Sequence, residues 1–197
     1  MSELIAPASP VLSDWLVLQT MVGQEPRVAE RLQRHFLPEK EVAHPRRRLK
    51  IRRQGAYLDS EQTLFPGYLF FRGHCDDVAR FEELIRTLAR SRRELPGMIK
   101  ILGQGQRPMP IYEHEAQLIW AMMGATEVID YSQACFEGAR VQIIAGPLLG
   151  REGIIRKLNR RKGRAKVEMH LFGEVQYPDL GVECLLVERD GEVASAV

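Results

Sequence analysis

Cysteine is scarce in this chain and poorly placed for chemistry. Three occur in 197 residues, Cys75, Cys135 and Cys184. They are odd in number, far apart and without a CxxC pair, so neither a zinc site nor a disulfide framework is supported. Reduced, structural thiols of a cytosolic protein are the expectation. No apolar run approaches the roughly 20 residues a membrane helix needs. Met1 to Asp14 lack a basic start followed by an apolar stretch, so a secretory signal is not expected. The histidines at 35, 44, 74, 114 and 170 show no HExxH spacing. No nucleophile sits in an elbow motif. Gly103-Gln104-Gly105-Gln106 is too short for a phosphate loop and lacks its lysine. No catalytic residue, metal or cofactor is therefore expected.

What is present is ordinary in amount and uneven in distribution. Charged residues make up 27% and hydrophobic ones 45%, and the net charge is +2. That sum hides two basic clusters. Arg46, Arg47, Arg48, Lys50, Arg52 and Arg53 crowd one stretch. Arg156, Lys157, Arg160, Arg161, Lys162, Arg164 and Lys166 crowd another, with no acid among them. Such runs attract phosphates without sequence preference. The alternative is a solvated, idle hairpin in each case.

Periodicity divides the chain. Trp15-Leu16-Val17-Leu18 reads as a buried strand. Pro26 fits the first turn of a helix whose apolar face is Val28, Leu32 and Phe36. Glu41 to Ile51 reads as a strand, with Pro45 arguing against a central place in a sheet, and Gln54-Gly55 as its turn. Tyr68 to Arg72 is a strand apolar on much of both faces. Val78, Phe81, Ile85 and Leu88 line a second helix, Met98 to Ile101 a short strand, and Ala116, Ile119, Trp120 and Met123 a third helix. Tyr112 is a poor cap for it. This order implies an N-terminal α/β layer structure. From Glu137 to Glu188 the pattern changes to short β-branched runs among seven glycines and two prolines. That spacing predicts a small barrel of about five strands. The fold class is α+β, with a flexible tail at 1–13, a first domain at 14–124, a linker at 125–136, the barrel at 137–189 and a tail at 190–197.

Phe65-Pro66-Gly67-Tyr68 stands out because Pro-Gly demands a specific turn. Two readings of Phe65 and Tyr68 stand: core packing, or rings presented to a partner groove.

Taken in order, Trp15, the helix from Pro26, Phe65-Pro66-Gly67-Tyr68, the loop Arg107-Pro108-Met109-Pro110-Ile111 and the run Gly138, Gly146-Pro147, Gly150, Gly153-Ile154-Ile155, Leu171-Phe172-Gly173 resemble the NusG family of transcription factors. The resemblance covers nearly the whole chain. It implies an NGN-like sandwich of an antiparallel sheet with helices, then an SH3-like KOW barrel. It implies a monomeric, non-enzymatic elongation factor. Trp15, Phe65, Pro66, Gly67 and Tyr68 would then dock on the coiled-coil helices of the largest RNA polymerase subunit. The first basic run would face upstream DNA. In general family members the barrel binds Rho or a ribosomal protein, and Phe172 lies where such contacts occur. The basic second run is more like the specialised paralogue LoaP, whose barrel is thought to contact an RNA hairpin. Processive antitermination is the leading expectation, a general NusG-type factor the second, and a KOW module of ribosome assembly a third. In a further branch, typified by RfaH, the C-terminal segment is a helical hairpin. Gly146, Pro147, Gly150, Gly153 and Gly163 oppose that, at about 1 kcal/mol per glycine and about 3 for proline. A flexibly tethered barrel is expected.

Overall fold

The computed structural model describes residues 11–36, 42–72, 97–104, 107–108, 110–137, 140–171, 173–187 and 193–195. The second helix expected around Val78 to Leu88, Cys75 and Phe172 fall outside them. The N-terminal part contains β1 (Trp15–Thr20), α1 (Glu25–Arg31) with a π-helical extension (Leu32–Phe36), β2 (Val42–Ala43), β3 (Arg46–Arg53), β4 (Ala56–Thr63), β5 (Tyr68–Arg72), β6 (Met98–Ile101), β7 (Gly103–Gln104), β8 (Arg107–Pro108), α2 (Glu113–Met123) and β9 (Val128–Ile129). The C-terminal part contains β10 (Ser132–Glu137), β11 (Arg140–Ala145), β12 (Ile155–Asn159), β13 (Arg164–Val167), β14 (Met169–Leu171), β15 (Glu174–Gln176), β16 (Asp179–Val187) and β17 (Val193–Ser195). The fold is α+β and mostly sheet.

Alternation along β1 sets the first core. Its sheet runs β2-β5-β1-β6 and is antiparallel throughout. Leu16 and Leu18 stand opposite Phe71 and Leu69. These four pack with Val28 and Leu32 of α1 and its extension. Trp15, Val17 and Phe70 point to the other face and pack with Ala116, Ile119 and Met122 of α2. Both faces are covered by helices because successive strand side chains alternate. Fully burying one such apolar side chain contributes about 1.5–3 kcal/mol.

Pro26 stands in the first turn of α1. Tyr112, a poor cap by residue type, is rescued from inside the helix: the Glu115 carboxylate accepts the Tyr112 backbone N–H at 3.0 Å. Pro45 does not force an edge position. The chain turns at His44-Pro45, and β3 then lies in the middle of a separate sheet, β4-β3-β9. Proline escapes the penalty because it sits just outside the ladder, contributing its carbonyl to Leu64 N–H at 2.8 Å. Gln54 and Gly55, with φ of 51° and 87°, make the tight turn into β4.

Three expectations about connections change. Val11 to Ser13 are not loose tail: Leu12 bridges Tyr112, and the Ser13 hydroxyl donates to the Ile111 carbonyl at 2.9 Å. The 125–136 segment is not a featureless tether either. Val128–Ile129 pairs in parallel with Arg46 and Arg47, and Ser132 to Cys135 pair in parallel with Val182 to Leu185. At the other end, Val193–Ser195 pairs with Leu185 to Val187 rather than fraying.

The C-terminal sheet runs β11-β10-β16-β13-β12, with β17 on β16 and a separate β14-β15 hairpin. It packs directly against the N-terminal part. Ala134, Ile143, Leu148, Ala165, Val167, Met169, Leu171, Leu180 and Val182 belong to the same buried cluster as Trp15, Phe65, Phe70 and Ile119. A tight approach lies at Gly181 on β16. A Cβ there would lie 2.5 Å from the Arg48 carbonyl oxygen and 2.4 Å from the Tyr131 ring. Backbone cannot give way as a flexible side chain would. Gly181→Ala is expected to destabilise the chain by about 1–3 kcal/mol, read as a lower midpoint in urea denaturation.

Candidate partner-binding surfaces

The Phe65-Pro66-Gly67-Tyr68 turn is held by four hydrogen bonds. Tyr68 N–H donates to the Phe65 carbonyl at 3.1 Å, and Thr20 N–H to the Gly67 carbonyl at 2.7 Å. The Gly67 N–H donates to a carboxylate oxygen of buried Glu25 at 2.6 Å. Leu64 N–H ties the approach to Pro45. Gly67 has φ +87°, which favours glycine, and a Cβ would meet the Thr20 carbonyl tightly at 3.3 Å. Glu25 was missed from sequence. An acid beside Pro26 in a first helical turn reads as a dipole partner, and nothing in the spacing reveals a contact 42 residues away.

The turn's rings are less open than a ready docking ledge would be. Phe65 is 5% exposed and Trp15 7%. Gly67 is buried, Tyr68 half-buried and Pro66 exposed. Trp15 packs on Trp120 with ring centroids 4.2 Å apart, Phe70 meets Trp120 edge-on at 5.9 Å, and Phe65 lies 6.1 Å from Phe70. Arg72 covers the outer face of the Trp15 ring at 5.1 Å. Leu64, Phe65, Pro66 and Tyr68 form one wall of a cleft of about 280 Å³, whose other wall is Leu171, Glu174, Tyr177 and Pro178. The C-terminal part is what roofs the turn.

The first basic run is mostly committed internally. Arg46 and Arg48 both reach Glu61, and Arg48 also reaches Asp130 at 2.8 Å. The half-buried Arg47 donates to the Asp179 carbonyl at 2.8 Å, and burial lowers its pKa. Lys50 pairs with Glu183 at 3.6 Å and lies over the Tyr131 ring at 5.8 Å. The Tyr131 hydroxyl donates to Asp59 at 2.8 Å. Arg52 and Arg53, at the hairpin tip, are exposed and have no ion pair or hydrogen bond among the described residues. Among the described residues, two of the six cations in this run are free of a partner.

The second run divides in the same way. Arg156 grips Glu168 through two bonds of 2.7 and 3.0 Å. Arg160 lies 3.8 Å over the Phe136 ring. Arg164 and Lys166 share Asp179 at 3.7 and 3.4 Å. Lys157, Arg161 and Lys162 stay exposed without a partner among the described residues. The Asn159 side chain accepts the Lys162 N–H at 3.0 Å, which shapes the turn that presents Arg161 and Lys162.

Comparison with known proteins gives this arrangement its context. The profile described as transcription termination factor nusG matches residues 13–120. The chain belongs to the NusG family. The KOW motif matches residues 137–169, within the C-terminal part. Among similar proteins, the transcription termination/antitermination protein NusG of Thermus thermophilus is 28% identical over 176 residues, covering 81% of this chain and 90% of that protein. The protein of the same name from Streptococcus pyogenes is 30% identical over 166 residues, covering 81% and 87%. A solved structure titled "Domain interaction in Thermotoga maritima NusG" aligns over 85% of this chain and 93% of that one, at 21% identity and a TM-score of 0.48.

The Arg156–Glu168 pair is directly testable. Hydrogen bonding to Arg156 is the main cause that holds the Glu168 carboxyl down at about 2, with the Tyr177 hydroxyl and His170 adding to it. The folded pKa is depressed, so the pair's contribution is complete above the ordinary value of 4.5 and is lost as pH falls toward about 2. A carboxyl NMR titration should give that low midpoint. In Arg156→Gln the midpoint should rise toward the ordinary value.

Proposed function

We propose that this chain is a NusG-type elongation factor that acts by binding rather than by catalysis. In this reading residues 14–124 form an NGN-like α/β sandwich and residues 137–189 an SH3-like barrel. The protein works as a monomer in the cytoplasm. Trp15, Phe65, Pro66, Gly67 and Tyr68 dock on the coiled-coil helices of the largest RNA polymerase subunit. The observation that carries this is the turn itself. Three independent elements, β1, α1 and the His44-Pro45 corner, converge to hold Phe65 to Tyr68 in one conformation, and family membership supplies the partner class.

The roof over that turn has a consequence for mechanism. Phe65 and Tyr68 line a cleft whose other wall is C-terminal, so polymerase competes with the chain's own C-terminal part for these two rings. Once docked, the factor favours polymerase conformations competent for elongation, because binding one conformation better than another shifts the balance between them. For the C-terminal part the free Lys157, Arg161 and Lys162 support contact with RNA, as in LoaP-like antitermination on an RNA hairpin. The free Arg52 and Arg53 support contact with upstream DNA or RNA. The second reading is a general NusG-type factor whose barrel binds Rho or a ribosomal protein through Phe172. The names of the relatives favour it.

Two variants of the full chain test the docking. Tyr68→Ala, at the cleft mouth, should weaken binding to core RNA polymerase on the order of tenfold, as for an aromatic anchor. Gly181→Ala, which loosens the roof, should strengthen it. Biolayer interferometry on immobilised polymerase reads both. Unchanged affinity in Tyr68→Ala would remove the aromatic turn from the interface.

A further inference from the structure

The two basic runs are separated by about a hundred residues of chain, yet the fold brings their free ends together. β3 runs along β16 with Arg47 beside Asp179, the Arg48 carbonyl against Gly181, and Lys50 beside Glu183. β13 is the other neighbour of β16 and is antiparallel to it, with Lys166 opposite Asp179 and Arg164 opposite Gly181. Stepping from Asp179 to Glu183 therefore leads out along β3 toward its tip, and back along β13 toward the turn at Arg160–Lys162. The two paths touch where Arg164 donates to the Lys50 carbonyl at 3.3 Å. Two and three residues beyond Lys50 come Arg52 and Arg53. Two residues before Arg164 comes Lys162, preceded by Arg161. Both hairpins project past the contact in the same direction.

The acids in this neighbourhood are already occupied. Asp59 accepts from Tyr131, Asp130 from Arg48, and Glu183 pairs with Lys50. Directly across the strand pair from Arg52 stands Tyr57, 54% exposed. A large ring open to water beside free guanidinium groups is the composition of a stacking platform on a cationic groove. A duplex buries its base faces, whereas an unpaired strand offers them together with its phosphates.

We propose that Arg52, Arg53 and Tyr57 of the β3–β4 tip and Arg161 and Lys162 of the β12–β13 turn form one binding surface for an unpaired RNA segment, assembled only when the two halves of the chain are packed together. The four cations meet the backbone phosphates and Tyr57 stacks on a base. This rests on the reading that the C-terminal part contacts RNA, and extends that contact onto the N-terminal hairpin. It also makes RNA binding and ring exposure opposed. A strand held across both hairpins keeps the roof over Phe65 in place.

Fluorescence anisotropy with the full chain tests this, using labelled oligouridylate of about twelve nucleotides, an RNA duplex of equal length and oligothymidylate. Four neutralised phosphates on a single strand give a slope of log affinity against log salt of roughly −3. The double variants Arg52→Ser/Arg53→Ser and Arg161→Ser/Lys162→Ser should each weaken oligouridylate binding and roughly halve that slope. Tyr57→Ala should weaken it roughly tenfold. All five side chains are exposed, so circular dichroism should match the native protein. If the hairpin double variant and Tyr57→Ala bind like the native chain while the turn variant weakens, the shared surface is wrong and C-terminal RNA contact survives. If the native chain binds none of the probes, the RNA reading itself falls. Equal or tighter binding of duplex, with Tyr57→Ala neutral, overturns the unpaired strand as occupant. Tighter binding of oligothymidylate overturns RNA.

Discussion

The close approach of β3 to β16 is the constraint from which the rest of this molecule follows. Backbone meets backbone at Gly181 with no room for a methyl group, and the half-buried Arg47 reaches across to the Asp179 carbonyl. Contacts of this kind fix position as well as closeness, because a carbonyl oxygen and a guanidinium fork have strict geometry. With β3 seated, the β14–β15 hairpin lies over the Phe65 turn, the cleft between them takes its shape, and the two cationic hairpins end side by side. Two apolar modules merely touching would allow many orientations. A glycine-sized notch allows few.

Ion pairing within the chain decides which of its charges are available to others. Thirteen cations across the two runs looked equivalent in sequence. In three dimensions Glu61, Asp130, Asp179, Glu183 and Glu168 take six of them, while Arg47 bonds a backbone carbonyl and Arg160 covers the Phe136 ring. These exposed pairs contribute little to stability, commonly well under about 1 kcal/mol each. Their effect is to narrow the cationic footprint to a few side chains at two tips. An affinity for phosphate estimated from the count of arginines would be too high, and its salt dependence too steep.

How much was legible beforehand follows from the range of the forces involved. The alternation of Trp15 to Leu18, the placement of Pro26 and the Gln54-Gly55 turn are local, and sequence showed them. The α+β order and the family were also readable, because several motifs recur in order. What escaped depended on partners distant in the chain. Glu25 under Gly67 and the strand pairing of Val128–Ile129 leave no periodic trace. Pro45 misled because a proline one residue outside a ladder looks the same as one within it. Tyr68 and Phe65 were open between core and partner groove. The fold buries Phe65 and half-buries Tyr68, and both line the cleft between the two halves.

The connector between the halves adds a mechanical consequence. Between β9, zipped to β3, and β10, zipped to β16, lie two residues, Asp130 and Tyr131, and both are themselves bonded to the hairpin. The leash is therefore almost zero in length while both ladders hold. Each residue peeled from β9 adds at most about 3.3–3.6 Å of reach. The C-terminal half cannot drift far from the N-terminal half by simple rotation. Any separation of the halves would therefore have to begin by opening one of these ladders, one hydrogen bond at a time.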